Sequence, residues 1–157
     1  MSEEKVEPVR AGFEQVTPYL VIDGVREALK FYQAAFDAEL VYEMPSPDGQ
    51  RLMHAEVRML NSNFFMVDPF PEMGGAAAPG EAEPPVTLHC YVADVEAVFK
   101  RAIDAGATVM MEPTDMFWGD RFSKLRDPSG HVWTFASRFA NPSPEEMAEA
   151  MANMPDC

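Results

Sequence analysis

The chain has 157 residues, 47% of them hydrophobic, and a formal net charge of −14 at pH 7. This apolar content is enough for a buried core in one domain or in two small modules, and it argues against global disorder. The negative charge disfavours nucleic acid and anionic membrane surfaces as partners, because both would repel the protein.

The sequence pattern gives no sign of export or of membrane insertion. The first ten residues lack the basic and apolar regions of a signal peptide, and no apolar run reaches transmembrane length. The two cysteines, Cys90 and Cys157, suggest neither a disulfide framework nor a zinc site. We therefore expect a cytoplasmic protein in which Cys90 is a small core residue.

The first half of the chain predicts the element order β-α-β-β-β. A strand at 16–22 precedes a helix at 25–36, whose apolar residues recur at helical spacing and whose N-cap would be Asp23. Three strands follow between turn-forming sequences: "AELVYEMP", "RLMHAEVRML" and "FFMVD".

Residues 69–85 separate this half from a second half with the same element order. The segment is rich in Pro, Gly and Ala, so it is predicted to be a linker or a mobile loop. A strand at 86–92 then leads to a helix that Asp94 would cap and Gly106 would end, and three more strands follow. The repeated order indicates a duplicated module.

These patterns also set the expected boundaries. Residues 1–13 are predicted to be a flexible N-terminus, residues 14–138 one domain, and residues 139–157 a helical tail. Within the domain, module 1 covers about 14–68 and module 2 covers about 86–138.

The tail predicts a capped helix. Ser143 would be its N-cap, Pro144 its first helical residue, and Glu146 would complete a capping box. Its apolar residues form a stripe that we expect to dock on the body of the protein or on a partner subunit: Met147, Ala150, Met151 and Met154.

Alternation along two strands predicts a polar, histidine-bearing face on each module. One set of alternate residues in "RLMHAEVRM" would face the helix: Met53, Ala55, Val57 and Met59. The other set would face away: Leu52, His54, Glu56 and Arg58. In "VTLHCYV" the residues that face away are Thr87, His89 and Tyr91. Two such faces turned together would enclose His54, Glu56 and His89, which could bind a metal or transfer protons; on a solvated sheet they would simply lie in water.

The stretch "TDMFWGDRFSKLRDPSGHVW", residues 114–133, has no helical or strand period until its end. Two interpretations stay open for its aromatic and charged residues. Phe117 and Trp118 would either anchor the loop on the core or lie at the mouth of a ligand cavity. Arg121 would either bind an anionic group or pair with a neighbouring aspartate.

Together these segments resemble the vicinal oxygen chelate superfamily, which contains glyoxalases, bleomycin-resistance proteins and extradiol dioxygenases. The resemblance rests on "VTPYLVIDGVREALKFYQAAF", "RLMHAEVRM", "LHCYVADVEAVFKRAIDAGATV" and "FWGDRFSKLRDPSGHVW", and it is strongest to the PhnB-like branch. It implies an α+β fold in which two paired βαβββ modules form U-shaped mixed sheets around a cavity. It also implies a homodimer.

The resemblance assigns four metal-ligand positions, and this sequence departs from them. The positions correspond to Val16, Glu56, Thr87 and Thr134, of which only Glu56 can bind a metal. Glyoxalase I activity is therefore not expected. His54 and His89, two residues from the assigned positions, could join Glu56 in a displaced site for one divalent metal ion.

Two functions remain open at this point. As an enzyme, the protein would act on an oxygen-rich small molecule, with Glu56 as metal ligand or general base at a raised pKa. His54 and His89 would then be metal ligands or acid–base partners, and Arg121 would bind an anionic substrate group.

The alternative function is metal-free sequestration of a small molecule, as in the bleomycin-resistance relatives. The acidic charge suits a cationic ligand, and Phe117, Trp118 and Tyr91 could stack on its planar rings, with His89 beside them.

Overall fold

The computed structural model describes residues 5–77 and 81–155, which form two units with one four-stranded sheet each. The first unit runs to Gln33 and continues from Asp37 to Ala77, and the second contains Ala34–Phe36 and the chain from residue 81 onward. Each unit is described by itself below.

The first unit has the predicted order β-α-β-β-β. Its elements are β1 (Tyr19–Val21), α1 (Val25–Phe36), β2 (Glu39–Pro45), β3 (Leu52–Met59) and β4 (Ser62–Val67). The sheet order is β1-β4-β3-β2, with β1 parallel to β4 and the other pairs antiparallel. Strand β1 is shorter than predicted, and Val16 lies outside it, 85% exposed.

The N-terminus of α1 is capped from a distant strand, so the prediction of Asp23 as N-cap is wrong. The N-cap residue is Gly24, with φ of 83° and no side-chain cap. The buried Asp68 carboxylate, just after β4, instead accepts hydrogen bonds from the Gly24 and Val25 amides at 2.8 and 3.3 Å. Its other oxygen accepts from the Leu52 amide at 2.6 Å. One carboxylate therefore accepts hydrogen bonds from three backbone amides, two of them at the positive end of the helix.

The face prediction for β3 is confirmed except at its start. Ala55, Val57 and Met59 are buried as expected. Leu52, however, is fully buried and Met53 is 37% exposed, the reverse of the prediction. The β2–β3 register shifts between Met44 and Pro45, and a shift of one residue exchanges the two faces of a strand.

The second unit repeats the order. Its elements are β5 (Thr87–Tyr91), α2 (Val95–Asp104), β6 (Thr108–Asp115), β7 (Asp120–Arg126) and β8 (Val132–Arg138), in the sheet order β5-β8-β7-β6. Asp94 caps α2 as predicted, accepting from the Ala97 amide at 3.1 Å. Gly106 follows the helix with φ of 119°, a conformation that favours glycine.

The core of the second unit is built on β8. Trp133 and Phe135 are fully buried, with their rings 5.2 and 5.3 Å from Phe36. The turn before β8 is fixed by Asp127, which accepts from the Ser129 and His131 amides and from Trp133 Nε1 at 2.9 Å. The "DPSGHVW" sequence therefore has a structural role.

The linker and the tail contain one helical element each. Residues 71–73 form a single 3₁₀ turn, and residues 78–80 of the predicted linker lie outside the described residues.

Helix α3 (Pro144–Ala152), in the tail, begins with the predicted Ser143 capping box. None of its nine described residues is buried, and the stripe residues Met147 and Ala150 are partly buried. Docking of the stripe on the body or on a partner subunit stays a prediction. Residues 156–157, including Cys157, are outside the described chain.

Among the residues that the structure describes, no helix is both long enough and apolar enough to cross a lipid bilayer.

Candidate functional site

In the first unit, the predicted site residue Glu56 is held by an arginine that the sequence did not indicate. Glu56 lies on β3 and is 8% exposed. Its two carboxylate oxygens accept hydrogen bonds from Arg10 Nη1 at 2.5 Å and Arg10 Nη2 at 2.9 Å. The two residues are 46 positions apart, and Arg10 belongs to the segment predicted to be flexible, so no local pattern could reveal the pair.

The Arg10 guanidinium sets the protonation of this carboxyl. Its hydrogen bonds are the main cause of a pKa for Glu56 below the ordinary value, and they outweigh the effect of burial, which acts in the opposite direction. The hydrogen bond from His54 adds to the lowering. The expectation of a raised pKa is therefore wrong, because a positive partner compensates the desolvation of the carboxylate.

His54 lies beside Glu56 on the same face of the sheet. Its Nε2 is 3.4 Å from Glu56 Oε1. Its ring is 4.7 Å from the Phe65 ring and 6.4 Å from the Tyr42 ring, centroid to centroid. The predicted pairing of a histidine and a carboxylate within module 1 is thus present, in an aromatic surrounding.

The segment that carries Arg10 is attached to β4. The Arg10 guanidinium lies 4.3 Å from the centroid of the Phe13 ring, and that ring is 5.5 Å from Phe65. Asn63 Nδ2 donates to the Gly12 carbonyl at 2.7 Å. A pocket of about 330 Å³ opens beside the segment, lined by Pro8, Val9, Arg10, Phe13, Glu14, Gln15, Thr17 and Phe65.

In the second unit, His89 is the centre of a polar and aromatic face. It lies on β5, exposed, with Nδ1 2.7 Å from Thr134 Oγ1. Its ring is 4.8 Å from Tyr91 and 6.1 Å from Phe122, nearly parallel to the latter at 18°. Tyr91 is 62% exposed.

The contacts continue from Phe122 to the hairpin before β7. Trp118 is 5.9 Å from Phe122 and 5.1 Å from Phe117, both in edge-on geometry. We call the set Phe117, Trp118, Phe122, His89 and Tyr91 the aromatic row. Four of its members were predicted, and Phe122 was missed. The signal for Phe122 was the alternation of β7, which places it on the same face as Lys124.

The stretch that contains Phe117 and Trp118 is a tight hairpin, so the interpretation as an irregular loop is wrong. Strand β6 continues to Asp115 and β7 begins at Asp120, which leaves four residues between them. The Met116 amide donates to the Asp120 carbonyl at 2.8 Å, and Trp118 Nε1 donates to Asp120 Oδ2 at 3.1 Å. Trp118 is thereby held against the start of β7 in its own unit.

Arg121 points away from the aromatic row. It pairs with Glu96 of α2 at 2.5 Å and with Asp115 at 3.0 Å, so it lies on the helix side of the sheet. These two carboxylates raise its pKa. The pairing with Asp115 was the alternative to anion binding, and Arg121 is therefore not part of the arrangement around His89.

The residues at the four assigned metal positions do not fit a divalent metal ion. Val16 and Thr87 offer no metal-binding side chain, Thr134 is engaged with His89, and both oxygens of Glu56 are bound by Arg10. Within residues 5–77 and 81–155, no three His, Cys, Asp or Glu side chains form a group that could hold a metal. In the first unit, a metal at Glu56 would require Arg10 to release the carboxylate.

Solved structures of the same fold come from plants and bacteria. The product of the Arabidopsis thaliana gene At5g48480 is 29% identical, with a TM-score of 0.63 over 79% of this chain and 98% of that chain. The PhnB protein of Bacillus cereus is 19% identical, with a TM-score of 0.62 over 79% and 99%. The fosfomycin resistance protein FosX of Listeria monocytogenes, solved with Mn(II) and sulfate, is 11% identical, with a TM-score of 0.60 over 88% and 97%. The last two share the fold alone.

Sequence comparison agrees with the fold. The chain is 37% identical over 144 residues to the uncharacterized protein Mb0911c of Mycobacterium bovis, which covers 90% of this chain and 94% of that protein. Residues 12–135 match the family model described as Glyoxalase/Bleomycin resistance protein/Dioxygenase superfamily. Because this match spans most of the chain, the protein belongs to the glyoxalase/bleomycin resistance protein/dioxygenase superfamily.

Proposed function

We propose that the protein is a metal-independent small-molecule binding protein of the PhnB-like branch, and that its ligand is a planar aromatic cation. The observation that carries this proposal is the aromatic row, whose five rings follow one another at 4.8–6.1 Å on one unit. As a member of its superfamily, the protein is further proposed to act as a homodimer in the cytoplasm.

The accessible end of the row supports binding of a flat ligand. His89 and Tyr91 are exposed, so a ring system can stack on them without displacing core residues. Aromatic faces attract cations through their quadrupole, by about 0.5–2 kcal/mol for each contact. A net charge of −14 would also raise the local concentration of a cation.

The residues at the four positions assigned to metal ligands support a function without a metal. Members of this superfamily often use a divalent ion, but here only one of the four assigned positions carries a metal-binding side chain. Binding by stacking and charge needs none of these ligands.

A second candidate is proton transfer on an oxygen-rich molecule in the first unit. The observation that favours it is the His54–Glu56 pair at 3.4 Å. A carboxylate whose pKa is lowered is a weak general base, so this function would need Arg10 to move away first.

Tryptophan fluorescence tests the binding proposal. Trp118 is half-buried in the row, whereas Trp133, the other tryptophan, is fully buried. The protein is titrated with 1-methylquinolinium, with neutral quinoline as the uncharged ring of similar size, at pH 7.5. We expect saturable quenching by the cation, weaker binding of quinoline, and loss of the quenching in Trp118→Phe.

Matched variants locate the site. Tyr91→Ala should weaken cation binding by about two- to fivefold, the equivalent of a cation–π contact at an exposed ring. Phe139→Ala removes another exposed ring of the same unit, 58% exposed, and should leave binding unchanged. Equal loss in both variants, or equal affinity for the cation and for quinoline, would contradict the proposal.

A further inference from the structure

We infer that Glu56, together with Phe13, Phe65 and His54, forms a recognition site for a planar organic cation of the guanidinium or amidinium class, and that Arg10 is its internal occupant. The site lies within the first unit. It does not rest on the function proposed for the aromatic row, which belongs to the second unit.

The carboxylate is arranged as a receptor for a planar cation. Both Glu56 oxygens accept from the two terminal nitrogens of one guanidinium, at 2.5 and 2.9 Å. This two-point pairing is specific for planar N–H pairs, because a round ammonium ion cannot present two parallel donors. With the guanidinium in place the Glu56 side chain is 10% exposed, so the cation covers most of the carboxylate.

Aromatic rings complete the recognition. The Phe13 ring lies 4.3 Å from the guanidinium carbon, within cation–π range. Phe65 contacts Phe13 at 5.5 Å and His54 at 4.7 Å, so the rings form a continuous wall beside the charged pair. A carboxylate with aromatic faces beside it is the combination that recognises flat organic cations.

The occupant is replaceable. The Arg10 side chain is 58% exposed, and the residues around it form neither helix nor strand. The wall does not depend on Arg10, because Gly12 and Phe13 make their own contacts with Asn63 and Phe65. The adjoining pocket of about 330 Å³ carries a second acidic residue, Glu14, and has room for the rest of a small ligand.

A divalent metal is the rival occupant of Glu56. It would need at least three protein ligands, and the described residues place only His54 beside this carboxylate. The two-point hydrogen-bond geometry therefore favours an organic cation.

Replacing Arg10 empties the site and tests the inference. The variant Arg10→Ala is titrated with methylguanidinium chloride, and the ring resonances of the three histidines are followed by NMR. We expect one saturable site, with the His54 resonance shifting and His89 and His131 unchanged. Wild type should bind about tenfold more weakly, as expected if Arg10 occupies the site ~90% of the time. Tetramethylammonium chloride, of equal charge but without N–H donors, should not shift His54.

Three controls decide the outcome. Arg10→Ala/Glu56→Gln should lose the saturable shift. Arg58→Ala, which removes one positive charge from β3, the strand of Glu56, should behave as wild type. Arg10→Gln, which keeps the aliphatic part of the side chain, replaces Arg10→Ala if the latter does not fold.

The inference is overturned if neither Arg10 variant shows a saturable shift of the His54 resonance. It is also overturned by 1:1 binding of Zn²⁺ or Mn²⁺ by Arg10→Ala in place of methylguanidinium. Failure of the quinolinium titration leaves this result unaffected.

Discussion

Buried carboxyl groups of this protein differ in what compensates their charge. Glu56 has an arginine, Asp68 has three backbone amides, and Asp127 has two amides and an indole N–H. Asp120 accepts from Trp118 through one oxygen, while its other oxygen has no hydrogen-bond partner among the described residues and lies 3.8 Å from Arg138 Nε. Burial alone therefore does not determine which group compensates the charge of a carboxylate.

The Arg10–Glu56 pair predicts a pH-dependent contribution to stability. Because the folded-state pKa of Glu56 is lowered, its contribution is present above the pKa of the unfolded chain and is lost as pH falls through the folded-state value. Glu56→Gln should therefore lower the Tm relative to wild type at pH 7 and by less at pH 3. Arg10→Ala should show the same convergence, and a difference that is constant from pH 7 to pH 3 would contradict this cause.

The thiol of Cys90 should be unreactive. Burial raises its pKa to about 11, so the thiolate fraction at pH 8 is on the order of one in a thousand. In a Cys157→Ser background, alkylation by iodoacetamide at pH 8 should be at least ~100-fold slower in the folded protein than in guanidinium chloride. A folded-state rate that levels off near pH 8.5 would show an ordinary, accessible thiol.

At the scale of elements, the two modules start their helices in different ways. Helix α2 uses the residue next to it in sequence, Asp94, whereas α1 uses Asp68, which is 44 positions from Gly24. The distant cap joins the start of α1, the end of β4 and the start of β3, so it fixes three elements of the first unit at once.

Removing the distant cap should be costly. Asp68→Ala leaves three backbone N–H groups without their acceptor, two of them on buried residues, and we expect a loss of about 2–4 kcal/mol in the free energy of unfolding. Asp23→Ala, at the exposed position that the sequence suggested as cap, should cost less than about 0.5 kcal/mol. Urea unfolding measures both, and equal losses would show that Asp68 is not the cap.

At the scale of the whole molecule, the two units have the same element order but carry different chemistry. The first presents Glu56 with a guanidinium, and the second presents the aromatic row. Helix α3 and the residues just after it add exposed apolar side chains, with Met151 at 61% and Met154 at 45% exposure. Exposed apolar side chains grouped in this way are typical of contact surfaces.

Truncation after Pro142 tests the role of the tail. Because none of the nine described residues of α3 is buried, the shortened protein should unfold within about 2 °C of the full chain at a concentration where both are monomeric. Differential scanning calorimetry and sedimentation measure stability and association together. A Tm lowered by more than about 5 °C in the monomer would place the helix on the body after all.

The sequence by itself determined the element order, the caps at Asp94 and Ser143, and the buried alternation of Ala55, Val57 and Met59. These features depend on residues within a few positions of one another, where helical and strand periods and capping chemistry are set. The resemblance to the superfamily depended on the same local patterns.

Only the tertiary structure decided the contacts between distant positions. The Arg10–Glu56 pair, the Asp68 cap and the stacking of Phe122 on His89 join segments far apart in sequence, and the β2–β3 irregularity exchanged Leu52 with Met53. Residue types alone could not predict the lowered pKa of Glu56, because a carboxylate near apolar rings has a raised pKa without a cation and a lowered one with it. Which case holds depends on where the folded chain places Arg10.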